Sequence, residues 1–383
     1  MDFNELKTPV YVIDESKLKK NLEILKDVQD KSGAKILLAQ KAFSAYHTYP
    51  LISKYLTGTT SSGLFEAKLA YEEFGKDSEI HVFEPAFSDD EMQEVCDIAD
   101  HLVFNSLSQL EHHRSIWEKK VTTNKLSVGL RVNPEFSTQE GHEIYDPCAP
   151  GSRLGIRAID LPDKLPSKVE GLHFHTLCEQ GFEPLYDTFK AFENKFEKYL
   201  KSGDIKWLNL GGGHHITRDY YDRDGLINLV KYIKDTYMVE VYLEPGEAIA
   251  LDAGYLVTTV MDIVKTDRLP VLILDTSAAC HMPDVLEMPY RPPLKDSGEI
   301  GDKKYGYRLS SRTCLAGDII GDYSFDEEIK IGDRLIFEDM AIYSMVKNNT
   351  FNGMALPDIA VLKENGNCEV VKSFGYEDFK MRL

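Results

Sequence analysis

The chain has 383 residues, 43% hydrophobic and 28% charged, a globular composition that excludes a disordered or collagen-like polymer. Asp and Glu total 63 against 44 Lys and Arg, and the formal charge of -19 is a poor match to nucleic acid or an anionic membrane surface. Six dispersed cysteines without a CxxC pair argue against a disulfide scaffold or structural zinc and favour a reducing, cytoplasmic setting.

No stretch reaches the roughly 18 apolar residues of a membrane helix. The opening dozen residues lack the basic region and apolar run of a signal peptide. Residues 10–13 form a short apolar run suited to a strand. Leu18, Leu22, Leu25 and Val28 then share one helical face, with Asp14 or Ser16 as candidate cap. Residues 35–39 (KILLA) read as a buried strand, and 48–54 and 64–74 as helices. Further apolar runs at 79–83, 101–104, 125–132, 169–174, 207–210 and 239–243 alternate with helical stretches, the longest at 185–199 and 226–237. With a short strand near 56–59, the expected strands are 36–39, 56–59, 79–83, 101–104, 126–132, 169–174, 207–210 and 239–243. Eight strand–helix units predict a (β/α)8 barrel over residues 14–250, with an open doubly wound sheet as the alternative.

Beyond residue 250 the helical period fades. Residues 255–264, 269–274, 329–337, 359–362 and 368–371 are β-rich, and the turns Asn365-Gly366 and Ile331-Gly332-Asp333 suit antiparallel connections. A second, mostly antiparallel β domain over 251–383 is expected, with residues 8–13 adding a strand to it. The proline-rich stretch 283–293 reads as an irregular loop.

Barrel enzymes place their chemistry at the carboxyl ends of the strands. Here those ends carry Gln40 and Lys41, then Ser61, Ser62 and Gly63, then His173 and His175, then Gly211, Gly212, Gly213 and His214, and finally Glu244 and Glu247. Lys41 follows five apolar or buried-strand residues. A desolvated amine has a lowered pKa and forms a Schiff base with an aldehyde, while the bland alternative turns Lys41 out to solvent. The Gly211–Gly213 run suits either a phosphate cradle or a plain tight turn. Glu244 suits a hydrogen bond to a ring nitrogen, or a simple capping role. His173 and His175 share a pleat face, which would also suit a zinc site with His214 or His215. No carboxylate or cysteine stands at ligand spacing, and no metal is expected. Neither a dinucleotide fingerprint nor a P-loop occurs.

Together these residues resemble the fold-type III decarboxylases that use pyridoxal 5'-phosphate (PLP), and within them the carboxynorspermidine/carboxyspermidine decarboxylase branch. The resemblance covers nearly the whole chain. It implies that Lys41 in LAQKAF carries PLP, that His175 in HFHTLCE stacks on the ring, and that Gly211, Gly212 and Gly213 bind the phosphate. It implies that Glu244 in EPG holds the ring nitrogen and that Tyr343, in AIY where the family has GAY, touches the phosphate. Cys314 in SSRTCLAGD is the implied proton donor, reaching the neighbouring subunit's lysine in a homodimer with shared active sites. Asp318, Glu247, Asp275, His281, Asp284 and Arg153 are the implied substrate contacts.

Two departures place the chain within the family. Ornithine and diaminopimelate members usually follow EPG with arginine, where this chain has Glu247, and diaminopimelate enzymes follow the cysteine with glutamate, where this chain has Leu315. The implied activity is decarboxylation of a carboxylated polyamine. Alternatives are a diaminopimelate, ornithine or arginine decarboxylase, a racemase of the same fold, a catalytically silent PLP-binding regulator, and a barrel with an unrelated ligand.

Overall fold

The computed structural model describes residues 3, 5–123, 126–140 and 143–383. It divides into two units, one from Lys19 to Ile249 and one joining the chain up to Leu18 with Ala250–Leu383.

Strand β1 (Val10–Asp14) leads directly into α1 (Glu15–Ser32). Asp14 is the cap: its Oδ1 accepts from the amides of Ser16 at 3.0 Å and Lys17 at 3.2 Å. The face bearing Leu18, Leu22, Leu25 and Val28 is buried, as its spacing requires.

The unit from Lys19 to Ile249 is built on β2 (Lys35–Ala39), β3 (Gly58–Ser61), β4 (Glu79–Glu84), β5 (His101–Phe104) and β6 (Ser127–Asn133). The two-residue β7 (Ile156–Arg157) pairs with β6 outside the main ring. After it come β8 (Val169–His173), β9 (Trp207–Asn209) and β10 (Glu240–Leu243). Every neighbour in the ring is parallel, and β10 pairs with β2 to close it. Lys125, expected to open β6, lies outside the described residues.

The barrel is filled from its strands. Leu37, Val103, Trp207 and Tyr242 pack together with Phe83. Trp207 fits because β6 and β8 present Gly129 and Gly171 to its ring; a Cβ at Gly171 would stand 2.0 Å from it. The indole Nε1 donates to Ser127 Oγ at 2.8 Å.

Helices between the strands are α2 (Tyr49–Ile52), α3 (Leu64–Glu73), α4 (Asp89–Ile98), α5 (Leu107–His112) and α6 (Arg114–Thr123). The helix expected at 48–54 is shorter, a 3-10 turn at Tyr46–Thr48 followed by α2 with Pro50 in its first turn. Two longer helices, α7 (Phe182–Leu200) and α8 (Arg223–Tyr237), bury Leu185, Phe189, Phe192 and Phe196, and Leu226, Val230 and Ile233.

The other unit carries β11 (Gly254–Val264), β12 (Val271–Leu274), β13 (Tyr305–Ser311), β14 (Ile319–Phe325), β15 (Arg334–Glu338), β16 (Asp358–Leu362) and β17 (Cys368–Lys372). Its sheet runs β14-β13-β12-β11-β1-β16-β17, with β15 also on β11. Pairing is antiparallel except at β12–β13 and β1–β16. Strand β15 starts at Arg334 rather than 329, because Ile331-Gly332-Asp333 forms a turn with Gly332 at φ +94°. The stretch 283–293 is not wholly irregular, since Asp284–Glu287 makes one helical turn.

Candidate active site

At the carboxyl ends of β2, β3, β6, β8 and β10, side chains enclose a cavity of about 300 Å³. Lys41, Arg131, Arg153, His173, His175 and Glu244 line it together with Phe83, Ser61 and Ser62. Local bonding explains why Lys41 points there. Gln40 is fully buried and held at both ends of its amide: Nε2 donates to Ser61 Oγ and to the Glu66 carbonyl, each at 2.8 Å, and Tyr49 donates to Oε1 at 2.8 Å. The next residue is thereby aimed into the cavity. Lys41 is itself solvent-exposed, but the protein packed around its amine lowers the pKa by desolvation, and Arg131 adds to the effect.

Glu244 follows β10 and is held by two donors. Asn209 Nδ2 donates to Oε1 at 2.7 Å and His173 Nε2 lies 3.1 Å from Oε2. Burial by itself would raise this carboxyl, but the neighbouring imidazoles outweigh it and hold the pKa well below the carboxylate range. An ionised Glu244 can only accept, so His173 Nε2 is the protonated nitrogen and its buried Nδ1 is left without a partner. Burial lowers the pKa of His173 despite the opposing pull of Glu244.

His175 has the same tautomer. The Gly212 amide donates to its Nδ1 at 2.9 Å, which leaves the proton of the neutral ring on Nε2. Burial, then Lys41 and Arg131, push its pKa far down. Arg131 Nη2 donates to the His175 carbonyl at 2.9 Å, and its guanidinium lies 4.6 Å from the centre of Phe83. Burial brings Arg131 itself down to about 10.

The glycine turn beside them leaves no room for side chains. A Cβ on Gly212 would stand 2.0 Å from the Glu244 carbonyl oxygen, and one on Gly213 would stand 1.8 Å from that of Leu177. Gly211 and Gly213 also take φ of +72° and +81°. The Gly211 amide is spent on Asn209 Oδ1 at 2.9 Å and that of Gly212 on His175, so of the three only Gly213's amide is outside these bonds. A deprotonatable amine, an ionised carboxylate, a neutral imidazole and a side-chain-free turn are the groups needed to hold an aldehyde-bearing aromatic phosphate such as PLP. The residues present fit it.

Glu247 lies nearby in sequence, with its Oε2 3.3 Å from His215 Nε2. His214 Nδ1 is 2.6 Å from the Tyr221 hydroxyl. Among the described residues neither histidine belongs to a group able to converge on a metal ion.

The remaining predicted residues belong to the sheet unit. Asp318 is buried, and its carboxylate accepts from Ser277 at 2.6 Å, Ser311 at 2.5 Å, Thr313 at 2.6 Å and the Ala279 amide at 3.1 Å. That bonding shapes the loop bearing Cys314, an exposed thiol whose amide donates to Asn352 Oδ1 at 3.3 Å. Asp275 accepts from Thr8, Thr258 and the Thr259 amide at 2.6, 2.5 and 2.9 Å. His281 is buried between Thr276 and the Ala355 carbonyl, and burial lowers its pKa to about 4. Asp284 pairs with Lys347. Tyr343 takes φ +55° at the start of the turn Ser344–Lys347. The segments bearing His281, Cys314 and Tyr343 are tied together by Asn349, which donates to the Ala279 carbonyl at 2.8 Å, and by Asn352.

Sequence reading passed over three residues. Arg131 carried a signal, since a cation inside the apolar run of β6 has the same oddity as Lys41. Glu66, in the first turn of α3, accepts from the Ser62 amide at 2.6 Å through its Oε2, Glu84 ends β4, and nothing in their spacing distinguishes them from surface acids. A larger groove of about 470 Å³ lies between α7 and α8, but its lining of Phe182, Tyr186, Phe189 and Tyr232 brings no comparable set of charged groups.

The family model described as pyridoxal-dependent decarboxylase, C-terminal sheet domain, matches residues 10–341. The chain is similar to the carboxynorspermidine/carboxyspermidine decarboxylase of Campylobacter jejuni subsp. jejuni serotype O:6, at 44% identity covering 100% of both chains. It is also similar to a carboxyaminopropylagmatine decarboxylase of Synechocystis sp., at 40% identity over 99% of this chain and 96% of that protein. Among solved structures, the carboxynorspermidine decarboxylase of Campylobacter jejuni complexed with norspermidine superposes with a TM-score of 0.90 and 42% identity, covering 99% of this chain and 100% of that one. Diaminopimelate decarboxylase from Helicobacter pylori shares the fold at 17% identity and a TM-score of 0.86. The chain belongs to the pyridoxal-dependent decarboxylases, in their carboxynorspermidine/carboxyspermidine decarboxylase branch.

Proposed function

We propose that this protein removes the α-carboxylate of carboxynorspermidine and carboxyspermidine as CO2, releasing norspermidine and spermidine. The observation that carries the reading is whole-length similarity, at 44% identity, to a relative that bears that activity in its name. The donor set around Lys41 supports it. When bound, PLP supplies the sink for the electron pair left by the departing carboxylate.

In this reading Lys41 would hold the aldehyde, and desolvation, by lowering its pKa, eases loss of the amine's proton. Glu244, kept ionised by His173 and Asn209, would hold a proton at the ring nitrogen. His175 would pack on the ring as a neutral imidazole, and the side-chain-free Gly211–Gly213 turn, with the Gly213 amide, and Tyr343 would take the phosphate. Cys314 of the partner subunit returns a proton to the α-carbon, which requires a homodimer with shared active sites. Glu247, Arg153, Asp275, His281, Asp284 and Asp318 form the substrate-side set, with Asp318 acting through the loop it holds. A soluble cytoplasmic enzyme is part of the same proposal; among the described residues no helix is long and apolar enough to cross a membrane.

The 40% identical relative named for carboxyaminopropylagmatine supplies the competing substrate, one that ends in a guanidinium rather than an amine. Leu315 stands where diaminopimelate enzymes usually have the acid that reads the distal end of their substrate. The test is CO2 release from the PLP-loaded protein over carboxynorspermidine, carboxyspermidine, carboxyaminopropylagmatine, meso-diaminopimelate, ornithine and arginine. The highest kcat/KM on the first two is expected. Highest turnover of carboxyaminopropylagmatine or diaminopimelate would replace the proposed substrate.

A further inference from the structure

Away from the cavity, Asp89, His112 and His113 bring one ligand atom each within 4.8 Å of one another. Adjacent residues on a helix point about 100° apart and do not normally converge. Here α5 ends at His112, and His113 leaves helical geometry with φ -94° and ψ 7° before α6 begins at Arg114. The break swings the two rings together, with centroids 4.6 Å apart and planes at 78°. Asp89, in the first turn of α4, faces both.

The bonding of His113 fixes its ring toward Asp89. This side chain is only 1% exposed. Its Nε2 lies 3.2 Å from the Phe87 carbonyl, which has no proton to give, so Nε2 donates. Its other nitrogen, Nδ1, lies 3.7 Å from Asp89 Oδ1. That distance is too long for a hydrogen bond. It is close to the roughly 3.4 Å that separates two ligand atoms on a tetrahedral zinc-type ion with bonds of about 2.0–2.1 Å. A histidine whose other nitrogen is anchored to a carbonyl is also the usual outer arrangement of a metal ligand.

His112 Nε2 is 2.6 Å from the same carboxylate oxygen, and both side chains are exposed, at 57% and 75%, so this pair has room to open. The other cluster of this kind, Glu79, His81 and His101, is already neutralised: Glu79 accepts from Lys35 at 2.7 Å and Tyr242 at 2.9 Å.

We propose that Asp89, His112 and His113 bind one divalent transition ion of the zinc type, with a solvent-facing fourth position, pinning the start of α4 to the α5–α6 junction. The sequence reading expected no metal because neither the adjacent histidines nor an aspartate more than twenty residues upstream forms a recognised ligand spacing. The test uses the PLP-loaded protein titrated with cobalt(II), followed by its visible d–d absorption, and with zinc followed by dialysis and elemental analysis. One ion per chain and a zinc-dependent rise in Tm are expected, both lost in His112→Ala and in Asp89→Asn, which change exposed side chains and leave the fold intact. The absence of stoichiometric binding, or binding retained unchanged in both variants, would overturn the assignment.

Discussion

Single residues in this barrel are set by whether a charge finds a partner. Glu244 finds two donors and stays ionised; Glu84, at the end of β4, finds none for its buried Oε1, and burial, with Glu91 and Glu66 adding, raises its pKa to about 7. The native state therefore holds a proton that the unfolded chain releases between its ordinary value of 4.5 and about 7, and stability falls as pH rises through that window. Glu84→Gln removes the dependence. We expect it to be more stable than wild type by about 1 kcal/mol above pH 7, after discounting for partial solvent contact, and equal to it below pH 4.5, by denaturant melts at both pH values. Equal stability at pH 8 would contradict the assigned protonation. Glu244→Gln keeps the shape but not the charge, and should lower kcat by about 100-fold or more while the cofactor remains bound, as checked by CO2 release and absorbance. At this scale Lys41, His175 and Glu244 were legible because polar residues ending apolar strands are conspicuous. Glu66 and Glu84 were not, since an acid beside a strand looks the same whether it is solvated or buried.

At the scale of elements, apolar runs decided what could be read. Seven of the eight ring strands announce themselves as apolar runs bounded by polar turns; β3 (GTTS) has no apolar run, and the strand expected at 56–59 lies at Gly58–Ser61. Strands β13 and β14 do not, because each buries only part of its length and spends other positions on Gly306, Arg308, Ser310, Gly321 and Asp322. Arg308 and Asp322 pair across the two strands at 2.7 and 2.9 Å, a cross-strand contact that becomes visible only once the register is known. The reverse holds for Trp207, whose place inside the barrel depends on two glycines one and two strands away. Gly171→Ala puts a Cβ 2.0 Å from the indole, and overpacking of this kind should cost about 2–3 kcal/mol or block folding. Adding Trp207→Phe should recover part of that loss; no recovery in urea titrations would show that the clash is not the cause.

For the whole molecule, the sequence separates a ring of parallel strands from a mostly antiparallel sheet by the change of period near residue 250. It does not reveal that the first strand, β1, sits inside the sheet between β11 and β16 on the strength of its apolar run alone, although that run suggested a strand there. The proposed assembly has a direct consequence. If Lys41 and Cys314 of different subunits form one site, Lys41→Ala and Cys314→Ala are each inactive alone, yet mixing and reassociating them yields mixed dimers with one intact site. Random pairing then restores about a quarter of wild-type activity. No recovery after verified subunit exchange would argue against a shared site.

The claim on which the chemistry rests is that a desolvated amine at Lys41, and no other lysine, holds the cofactor. Borohydride reduction of the PLP-loaded protein, followed by peptide mapping, tests it. The label is expected on the peptide containing Lys41, across a pH range extending well below the ordinary lysine value of 10.5, and should be absent from Lys41→Ala. A label on any other lysine, or none, would contradict the account.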